Sequence, residues 1–221
     1  MKKYTFSSER IHPFLAAGLT GLFSLLLMGS GIYLYLNPQL PNVEQLREIK
    51  LETPLQIYSR DGKLISEFGE KHSRPLHYDE IPPLFVKAFL AAEDDNFFNH
   101  QGISLKGLAR AFVDIAQTGS IQSGGSTITM QVAKNYFLTS QRTFSRKFTE
   151  ILLARNIEQA LSKKEILELY VNKIYLGQRA YGIGAAAEVY YSKNVNQLSL
   201  AEMAMIAGLP KAPSKYNPVV N

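Results

Sequence analysis

The sequence has no cysteine and no tryptophan in its 221 residues. Without cysteine, disulfide bonds and thiolate metal sites are excluded. The excess of positive charge is also small, 24 Lys and Arg against 19 Asp and Glu, for a net charge of +5. This excess suits anionic lipid or phosphate, but no basic-aromatic repeat accompanies it, so nucleic acid is not predicted as a partner. The length allows one membrane anchor and one domain of ordinary size.

Charged residues are missing altogether from residues 14–36, FLAAGLTGLFSLLLMGSGIYLYL. As a helix this segment is about 34 Å long, enough to cross a bilayer core of ~30 Å. Lys2, Lys3 and Arg10 precede it, so the positive-inside rule places residues 1–13 in the cytoplasm and the bulk of the chain outside. A cleaved signal peptide is the alternative, but the run exceeds a signal core of roughly 7–15 residues and no clear A-x-A site follows. We therefore predict a retained single-pass anchor, beside which an active site can take a lipid-linked substrate.

The rest of the chain divides into a linker with a hairpin, residues 37–80, and a mainly helical domain, residues 81–221. Around Asp61 and Gly62, two short alternating runs predict a β-hairpin. Beyond it, helical periodicity is broken by glycine, proline and capping-box patterns. The predicted helices cover 82–93, 105–117, a segment from about 126, 143–161, 162 to about 177, and 199–208. The expected fold class is mainly α, with a small β-hairpin near the membrane and one transmembrane helix before it.

The segment Glu93 to Gly102, EDDNFFNHQG, places adjacent acids at the end of an apolar run. Each acid in such a position must be solvated, paired or used. A carboxylate in these surroundings suits a group that accepts a proton from an alcohol, and Glu93 is the candidate for this general base. The alternative is a helix-end acid that pairs with a nearby lysine or with His100.

A glycine-containing segment, Gly124 to Asn135 (GGSTITMQVAKN), leads into a predicted helix. Backbone N–H groups at such a helix start can bind an anion. Thr127, Gln131 and Lys134 follow at spacings that place them on one face of the helix. The alternative is an ordinary helix with a serine cap and a solvated lysine.

A charged face is predicted on the helix that contains residue 150. Arg142, Arg146 and Glu150 are successive i,i+4 neighbours, and Lys147 lies three residues before Glu150. Such a face can bind a pyrophosphate, with Glu150 orienting the cations or a metal. The alternative is a salt-bridged face in contact with solvent.

These segments, in this order, resemble glycosyltransferase family 51, the peptidoglycan glycosyltransferases. The matching motifs are E-D-x-x-F-x-x-H-x-G at 93–102, G-G-S-T-I-T-x-Q at 124–131, R-K-x-x-E at 146–150 and I-L-E-x-Y-x-N at 166–172. The anchor, linker and hairpin also resemble the start of class A penicillin-binding proteins. The resemblance implies a lysozyme-like glycosyltransferase domain at the inner membrane of a bacterium. It further implies polymerisation of lipid II into glycan strands, with inversion at the anomeric carbon and release of undecaprenyl pyrophosphate.

The resemblance also implies a role for each matching residue. Glu93 is expected to deprotonate the acceptor hydroxyl, and Glu150 to assist departure of the pyrophosphate, with Mg²⁺ or Mn²⁺ as the divalent cation that it holds. The residues expected to bind the phosphates are Lys134, Arg142, Arg146 and Lys147. Those expected to support the cleft are Asp94, Ser126, Thr127 and Gln131. The implied partners are lipid II, the growing glycan strand, the membrane and cell-wall synthesis proteins.

Two features depart from the family pattern. Met130 stands where the family usually has the first glutamine of a pair, and we expect fewer polar contacts there without loss of chemistry. No Ser-x-x-Lys or Lys-Thr-Gly pattern occurs, so a transpeptidase domain is not expected in this chain, and the domain at 81–221 is expected to be truncated.

Two rival functions are open at this point. One is a lysozyme-like glycan hydrolase or lytic enzyme, for which two carboxylates are the usual equipment. The other is a non-catalytic membrane scaffold. The cations around Glu150 argue against a hydrolase, since hydrolysis of a sugar has no pyrophosphate to hold. A scaffold has no need of Glu93 and Glu150 together.

Overall fold

The computed structural model describes residues 13–49, 55–62, 64–68, 72–118, 125–139 and 144–219. The chain forms two compact units, residues 1–41 and residues 42–221. Two residues of the predicted site motifs, Gly124 and Arg142, lie outside the described residues.

The first unit contains one long helix and a short 3₁₀ turn. Helix α1 spans Pro13–Leu36, and the turn covers Asn37–Gln39. Over Leu15–Gln39 the mean hydropathy reaches 1.8, which makes the helix long and apolar enough to cross a membrane. The structure thereby confirms the apolar N-terminal helix predicted from the sequence.

The second unit contains the predicted β-hairpin. Strand β1 (Leu55–Tyr58) pairs antiparallel with strand β2 (Leu64–Phe68), with Leu55 opposite Phe68. Gly62 in the connecting turn has a φ of 78°, a left-handed conformation that glycine adopts without steric cost. The Asp-Gly signal in the sequence therefore identifies the hairpin correctly.

A second pair of strands is not predicted by the sequence. Strand β3 (His72–Ser73) lies parallel to strand β4 (Ala180–Tyr181). Each has only two residues, which is too short for an alternating pattern to be recognised. Because the two strands are far apart in the chain, their pairing depends on the tertiary fold.

Helices make up most of the second unit, which confirms the mainly α fold class. In chain order they are α2 (Pro83–Glu93), α3 (Leu105–Thr118), α4 (Ile128–Phe137), α5 (Phe144–Ala160), α6 (Lys163–Lys173), α7 (Ile183–Tyr191), α8 (Leu200–Gly208) and α9 (Pro213–Tyr216). Capping boxes at Ser162 and Ser199 start α6 and α8, as the sequence predicts.

Three helices differ from the sequence prediction, which ends α6 near Gly177 and includes neither α7 nor α9. Helix α6 ends at Lys173 rather than near Gly177, because Tyr175 leaves the helix and forms an isolated bridge with Tyr181. Helix α7 has no amphipathic period, since its first five residues, Ile183 to Ala187, are all buried. A helix buried on every side gives no periodic signal in the sequence.

Helix α4 lies in the core of the second unit and packs against α5 and α6. Its buried residues are Ile128, Thr129, Met130, Val132 and Ala133. Because these side chains face the core, Gln131 and Lys134 lie on the other face of the helix, where they line a cavity. Met130 is completely buried, so the departure from the family pattern places an apolar side chain in the core and none in the cavity.

Gly102 allows the turn after Glu93 to approach the backbone of helix α5. Its φ is 86°, and a Cβ at this position would lie 2.9 Å from the backbone oxygen of Ala154. We expect Gly102→Ala to lower the free energy of unfolding by about 2–4 kcal/mol, because left-handed backbone and a backbone contact both oppose a side chain. The melting temperature should fall by roughly 5–10 °C, which a thermal melt measures.

Gly208→Ala is the matched control for this substitution. Gly208 ends helix α8, and a Cβ there meets nothing within 4 Å. Alanine should be neutral there or raise the free energy of unfolding by up to ~1 kcal/mol. Equal melting temperatures for the two variants would contradict the explanation given for Gly102.

Candidate active site

Glu93 is the last residue of helix α2 and is half-buried. The Gln131 side chain on α4 donates a hydrogen bond from Nε2 to Glu93 Oε2 at 2.8 Å. This contact joins two predicted site residues that are 38 positions apart in the chain. The amide orients the carboxylate, and the second oxygen, Oε1, has no hydrogen bond to any described residue. Glu93 is therefore held in place with one oxygen able to accept a proton.

Asp94, directly after Glu93, forms a buried pair with His100. Asp94 Oδ2 accepts a hydrogen bond from the Ile128 N–H at 3.1 Å and lies 2.9 Å from His100 Nε2. The Gly102 N–H donates to His100 Nδ1 at 3.2 Å, so the imidazole proton is assigned to Nε2, which donates to Asp94. The histidine pairing that the sequence leaves open for Glu93 is thus made by its neighbour.

The start of helix α4 is fixed by Thr127. Its hydroxyl donates to the Gly102 carbonyl oxygen at 2.6 Å and accepts from the Met130 N–H at 3.1 Å. This is the bonding of an N-cap residue. The cap is therefore Thr127 and not Ser126, and the Ser126 hydroxyl instead accepts a hydrogen bond from Lys147 Nζ at 2.8 Å.

Glu150 on helix α5 is buried, with 2% of its surface exposed. Lys147 Nζ lies 2.7 Å from Glu150 Oε1, and Arg146 Nη1 lies 3.6 Å from Glu150 Oε2. A buried carboxylate requires such compensation by cations and hydrogen bonds. A solvated ion-pair face does not describe this arrangement, because the acid is removed from water.

Two adjoining cavities contain the two acids. The larger, of about 530 Å³, is lined by Glu150 together with the cations Lys134, Arg146 and Lys147. The smaller, of about 120 Å³, is lined by Glu93, Asp94 and Asp95 among others. Ser126 lines both cavities, and Gln131 lines the larger one while it is hydrogen-bonded to Glu93. The two acids therefore lie in neighbouring cavities that Ser126 and Gln131 connect.

The donor set around Glu150 does not match a divalent cation held by the protein. Mg²⁺ and Mn²⁺ prefer carboxylate, carbonyl and water oxygens, whereas the Glu150 carboxylate is already paired with Lys147 and Arg146. Within the described ranges, no group of three or more His, Asp or Glu side chains is placed to hold a metal ion. The divalent cation implied by the family resemblance stays a prediction, and no step of the proposed reaction requires it.

Tyr170 on helix α6 is a neighbour of both Glu93 and Asp94. Its side chain is completely buried, and its ring packs edge-on against Phe89 with centroids 6.0 Å apart. Burial, followed by the Glu93 and Asp94 charges, raises the pKa of Tyr170 well above its ordinary value. The hydroxyl therefore stays neutral, and it has no hydrogen-bond partner among the residues that the structure describes.

We expect Tyr170→Phe to raise the free energy of unfolding by about 1 kcal/mol, because it removes a buried hydroxyl that lacks a partner. A thermal melt should show an increase of roughly 2–4 °C. Tyr136→Phe is the matched control, since the Tyr136 hydroxyl donates to the Leu169 carbonyl oxygen at 3.2 Å, and its loss should destabilise by up to ~1 kcal/mol. A lower melting temperature for Tyr170→Phe than for the parent would show that the hydroxyl has a stabilising partner.

The predicted site residues that the structure describes lie in or beside the two cavities. Arg142 is outside the described residues, so its predicted phosphate contact stays a prediction. The sequence reasoning missed Ser104 and Arg110, which line the smaller cavity, and Asn135, which lines the larger one. Asn135 could have been predicted, because it directly follows Lys134 in the glycine-containing segment. Arg110 could not, because it lies on α3 and no local pattern relates it to Glu93.

Comparison with known proteins matches residues 61–221 to the family model described as Transglycosylase. Penicillin-binding protein 1A of Pseudomonas aeruginosa is 64% identical over 203 residues, which cover 92% of this chain and 25% of that protein. Penicillin-binding protein 1A of Escherichia coli K12 is 55% identical over 189 residues, which cover 86% of this chain and 22% of that protein. The chain thus spans about a quarter of the length of these relatives.

Among solved structures, a crystal structure of penicillin-binding protein 1A from Haemophilus influenzae shares 34% sequence identity with this chain. The match covers 78% of this chain and 16% of that one, with a TM-score of 0.41.

Proposed function

Because the chain belongs to the transglycosylase family, we propose that it polymerises lipid II into glycan strands and releases undecaprenyl pyrophosphate, as part of bacterial cell wall synthesis. The observation that supports this proposal is the buried Glu150 between two cations, on a cavity connected through Ser126 and Gln131 to the cavity of Glu93. A proton acceptor and a cationic leaving-group site are the two devices that transfer of a sugar from a pyrophosphate requires.

The proposed reaction begins at Glu93. Its carboxylate accepts the proton of the acceptor sugar's 4-hydroxyl, and the hydroxyl oxygen attacks the anomeric carbon of the donor sugar. The bond between that carbon and the pyrophosphate oxygen breaks, and the bonding electrons leave with undecaprenyl pyrophosphate. A single displacement of this kind inverts the anomeric configuration, which is part of the proposal.

Lys134, Arg146 and Lys147 are proposed to stabilise the charge that develops on the departing pyrophosphate. Among the described residues that line the larger cavity, these three cations outnumber the carboxylate, Glu150. Glu150 is proposed to fix the direction of Lys147 and Arg146, since it pairs with both of them. Cations arranged before the reaction stabilise developing charge without a further cost of reorganisation.

We further propose that α1 (Pro13–Leu36) anchors the chain in the inner membrane, with the N-terminus in the cytoplasm and the second unit outside. Its length and hydropathy suit a bilayer, and Lys2, Lys3 and Arg10 precede it. This orientation presents the site to lipid II and to the growing glycan strand on one side of the bilayer. Cell-wall synthesis proteins are proposed as further partners.

An inverting hydrolase holds a water nucleophile between its two carboxylates, and a retaining hydrolase uses one carboxylate as the nucleophile. The cation-rich cavity around Glu150 favours a diphosphate leaving group instead. A scaffold function does not explain why Glu150 is buried, since a buried ion pair contributes little to stability.

The proposal is tested with the purified 221-residue chain in detergent and labelled lipid II. We expect polymer on a gel and one undecaprenyl pyrophosphate released for each disaccharide joined. Shortening of added glycan strands would instead identify a hydrolase. Absence of both activities in a folded chain would contradict the enzymatic proposal.

A further inference from the structure

The turn that follows Glu93 is held at its far end by Lys163, the first residue of helix α6. Lys163 Nζ donates a hydrogen bond to the His100 carbonyl oxygen at 2.6 Å. The same ammonium group lies 4.4 Å above the centre of the Phe97 ring, a cation–π contact. Phe97 is itself buried and packs edge-on against the His100 ring at 6.1 Å. Lys163 therefore contacts this turn at two points, one polar and one aromatic.

Glu158 on helix α5 holds Lys163 in this position. Lys163 Nζ lies 2.7 Å from Glu158 Oε1, and the Thr129 hydroxyl on helix α4 donates to the same oxygen at 2.5 Å. The Glu158 side chain is 7% exposed and that of Lys163 is 20% exposed. The ion pair is thus largely shielded from water and joins three helices to the turn that contains His100.

The contacts continue without interruption from Lys163 to Glu93. Lys163 fixes the backbone of His100, whose imidazole Nε2 donates to Asp94. Asp94 also accepts from the Ile128 N–H at the start of α4, the helix whose Gln131 orients Glu93. Asp94 is joined to Glu93 by a peptide bond, so the position of the His100 carbonyl influences where the Glu93 carboxylate lies.

We propose that Lys163 is a positioning residue for Glu93, and that it acts through the His100 carbonyl and the buried His100–Asp94 pair. This inference rests on the proposed role of Glu93 as the base. Lys163 itself lines neither of the two cavities, so its effect is on geometry. Loss of the correct geometry by about 1 Å can lower the rate of a reaction ~100-fold.

A positioning role for the ion pair predicts a loss of catalytic rate, whereas a purely stabilising role predicts a loss of stability. Replacing both partners of a buried pair with neutral residues of similar shape is often neutral for stability. The double variant Glu158→Gln/Lys163→Met removes both charges together and leaves neither one buried alone. It also removes the hydrogen bond to the His100 carbonyl, so stability and catalytic rate can be separated.

The matched control is the double variant Glu202→Gln/Lys193→Met. Lys193 Nζ lies 2.7 Å from Glu202 Oε1, the same length as in the Lys163 pair. This second pair joins the end of α7 to α8 and lines neither cavity. The control therefore measures how the loss of an ion pair changes kcat and stability when no chain of contacts connects that pair to Glu93.

The experiment compares both double variants with the parent chain in detergent. For Glu158→Gln/Lys163→Met we expect kcat for lipid II polymerisation to fall about 10- to 100-fold, with KM and the Kd for inorganic pyrophosphate within twofold of the parent. The control should keep kcat within twofold. Thermal melts of all three proteins establish that each is folded at the assay temperature.

Nitrogen NMR of the His100 imidazole supplies a readout that does not depend on activity. The parent should show a protonated Nε2 and an unprotonated Nδ1, since Nδ1 accepts from the Gly102 N–H. In Glu158→Gln/Lys163→Met the two nitrogen signals should move toward each other as the tautomers mix. The control variant should keep the parent signals.

The proposal is overturned if folded Glu158→Gln/Lys163→Met polymerises lipid II at the parent rate and keeps the parent imidazole signals. If that variant does not fold, Lys163→Gln alone decides, because it removes the ammonium group that donates to the His100 carbonyl oxygen. A loss of kcat of about tenfold or more in the folded variant then supports the proposal, and a kcat within about threefold of the parent contradicts it. A parent chain without polymerase activity would instead overturn the proposed function, while the imidazole signals still report whether Lys163 positions the turn.

Discussion

Glu93→Gln should abolish polymerisation of lipid II, with a loss in kcat of about 10³-fold. Glutamine has the shape of glutamate but cannot accept the proton of the acceptor hydroxyl. The substitution keeps an oxygen that can accept the hydrogen bond from Gln131 Nε2, and Glu93 is only half-buried, so the fold should be retained. The measurement is the rate of undecaprenyl pyrophosphate release under saturating lipid II, together with a thermal melt.

Asp79→Asn is the matched control for this variant. Asp79 is an exposed acid in the short 3₁₀ turn before α2 and lines neither cavity. Removal of its charge should leave the rate within twofold of the parent. A Glu93→Gln variant that polymerises as fast as the parent would show that Glu93 is not the base.

Glu150→Gln should lower kcat about 100-fold without raising KM. The substitution removes the carboxylate that pairs with Lys147 and Arg146, so the cations lose their fixed direction. It also removes the negative charge of Glu150 from a cavity lined by Lys134, Arg146 and Lys147. A more positive cavity binds the diphosphate of the substrate at least as tightly, and a lower kcat with an equal or lower KM is the expected signature.

Glu150→Gln should stay folded but lose about 1–3 kcal/mol of unfolding free energy, because the Arg146 side chain, 20% exposed, loses the charge of its partner, whereas the Lys147 side chain, 40% exposed, can reach water. Glu202→Gln is the matched control, since Glu202 also pairs with a lysine at 2.7 Å but lies on α8. It should keep both kcat and KM. An unchanged kcat with a higher KM in Glu150→Gln would indicate that Glu150 only contributes to binding.

The sequence predicts those parts of the fold that local patterns specify. The apolar helix, the Asp-Gly hairpin and the capping boxes of α6 and α8 each depend on residues close together in the chain. The strand pair β3 and β4 and the buried helix α7 depend on tertiary contacts, and no local pattern reveals them. The early end of α6 has the same cause, since Tyr175 pairs with Tyr181.

The candidate site follows a similar division. Motif order predicts Glu93, Gln131, Lys147 and Glu150 as site residues, but sequence alone gives neither the Gln131–Glu93 hydrogen bond nor the burial of Glu150. The sequence also leaves open which acid His100 contacts, because Glu93 and Asp94 are adjacent. Only the fold, through the Ile128 N–H and the Gly102 N–H, determines that His100 pairs with Asp94.

We propose that proton transfer takes place in the cavity of Glu93 and that the diphosphate binds in the cavity of Lys147. Calorimetric titration with inorganic pyrophosphate tests this division most directly, with the parent, Glu93→Gln and Lys147→Met each folded in detergent. We predict that Glu93→Gln binds pyrophosphate with the parent Kd, and that Lys147→Met binds it at least tenfold more weakly. Equal weakening in both variants, or unchanged binding in Lys147→Met, would contradict the account.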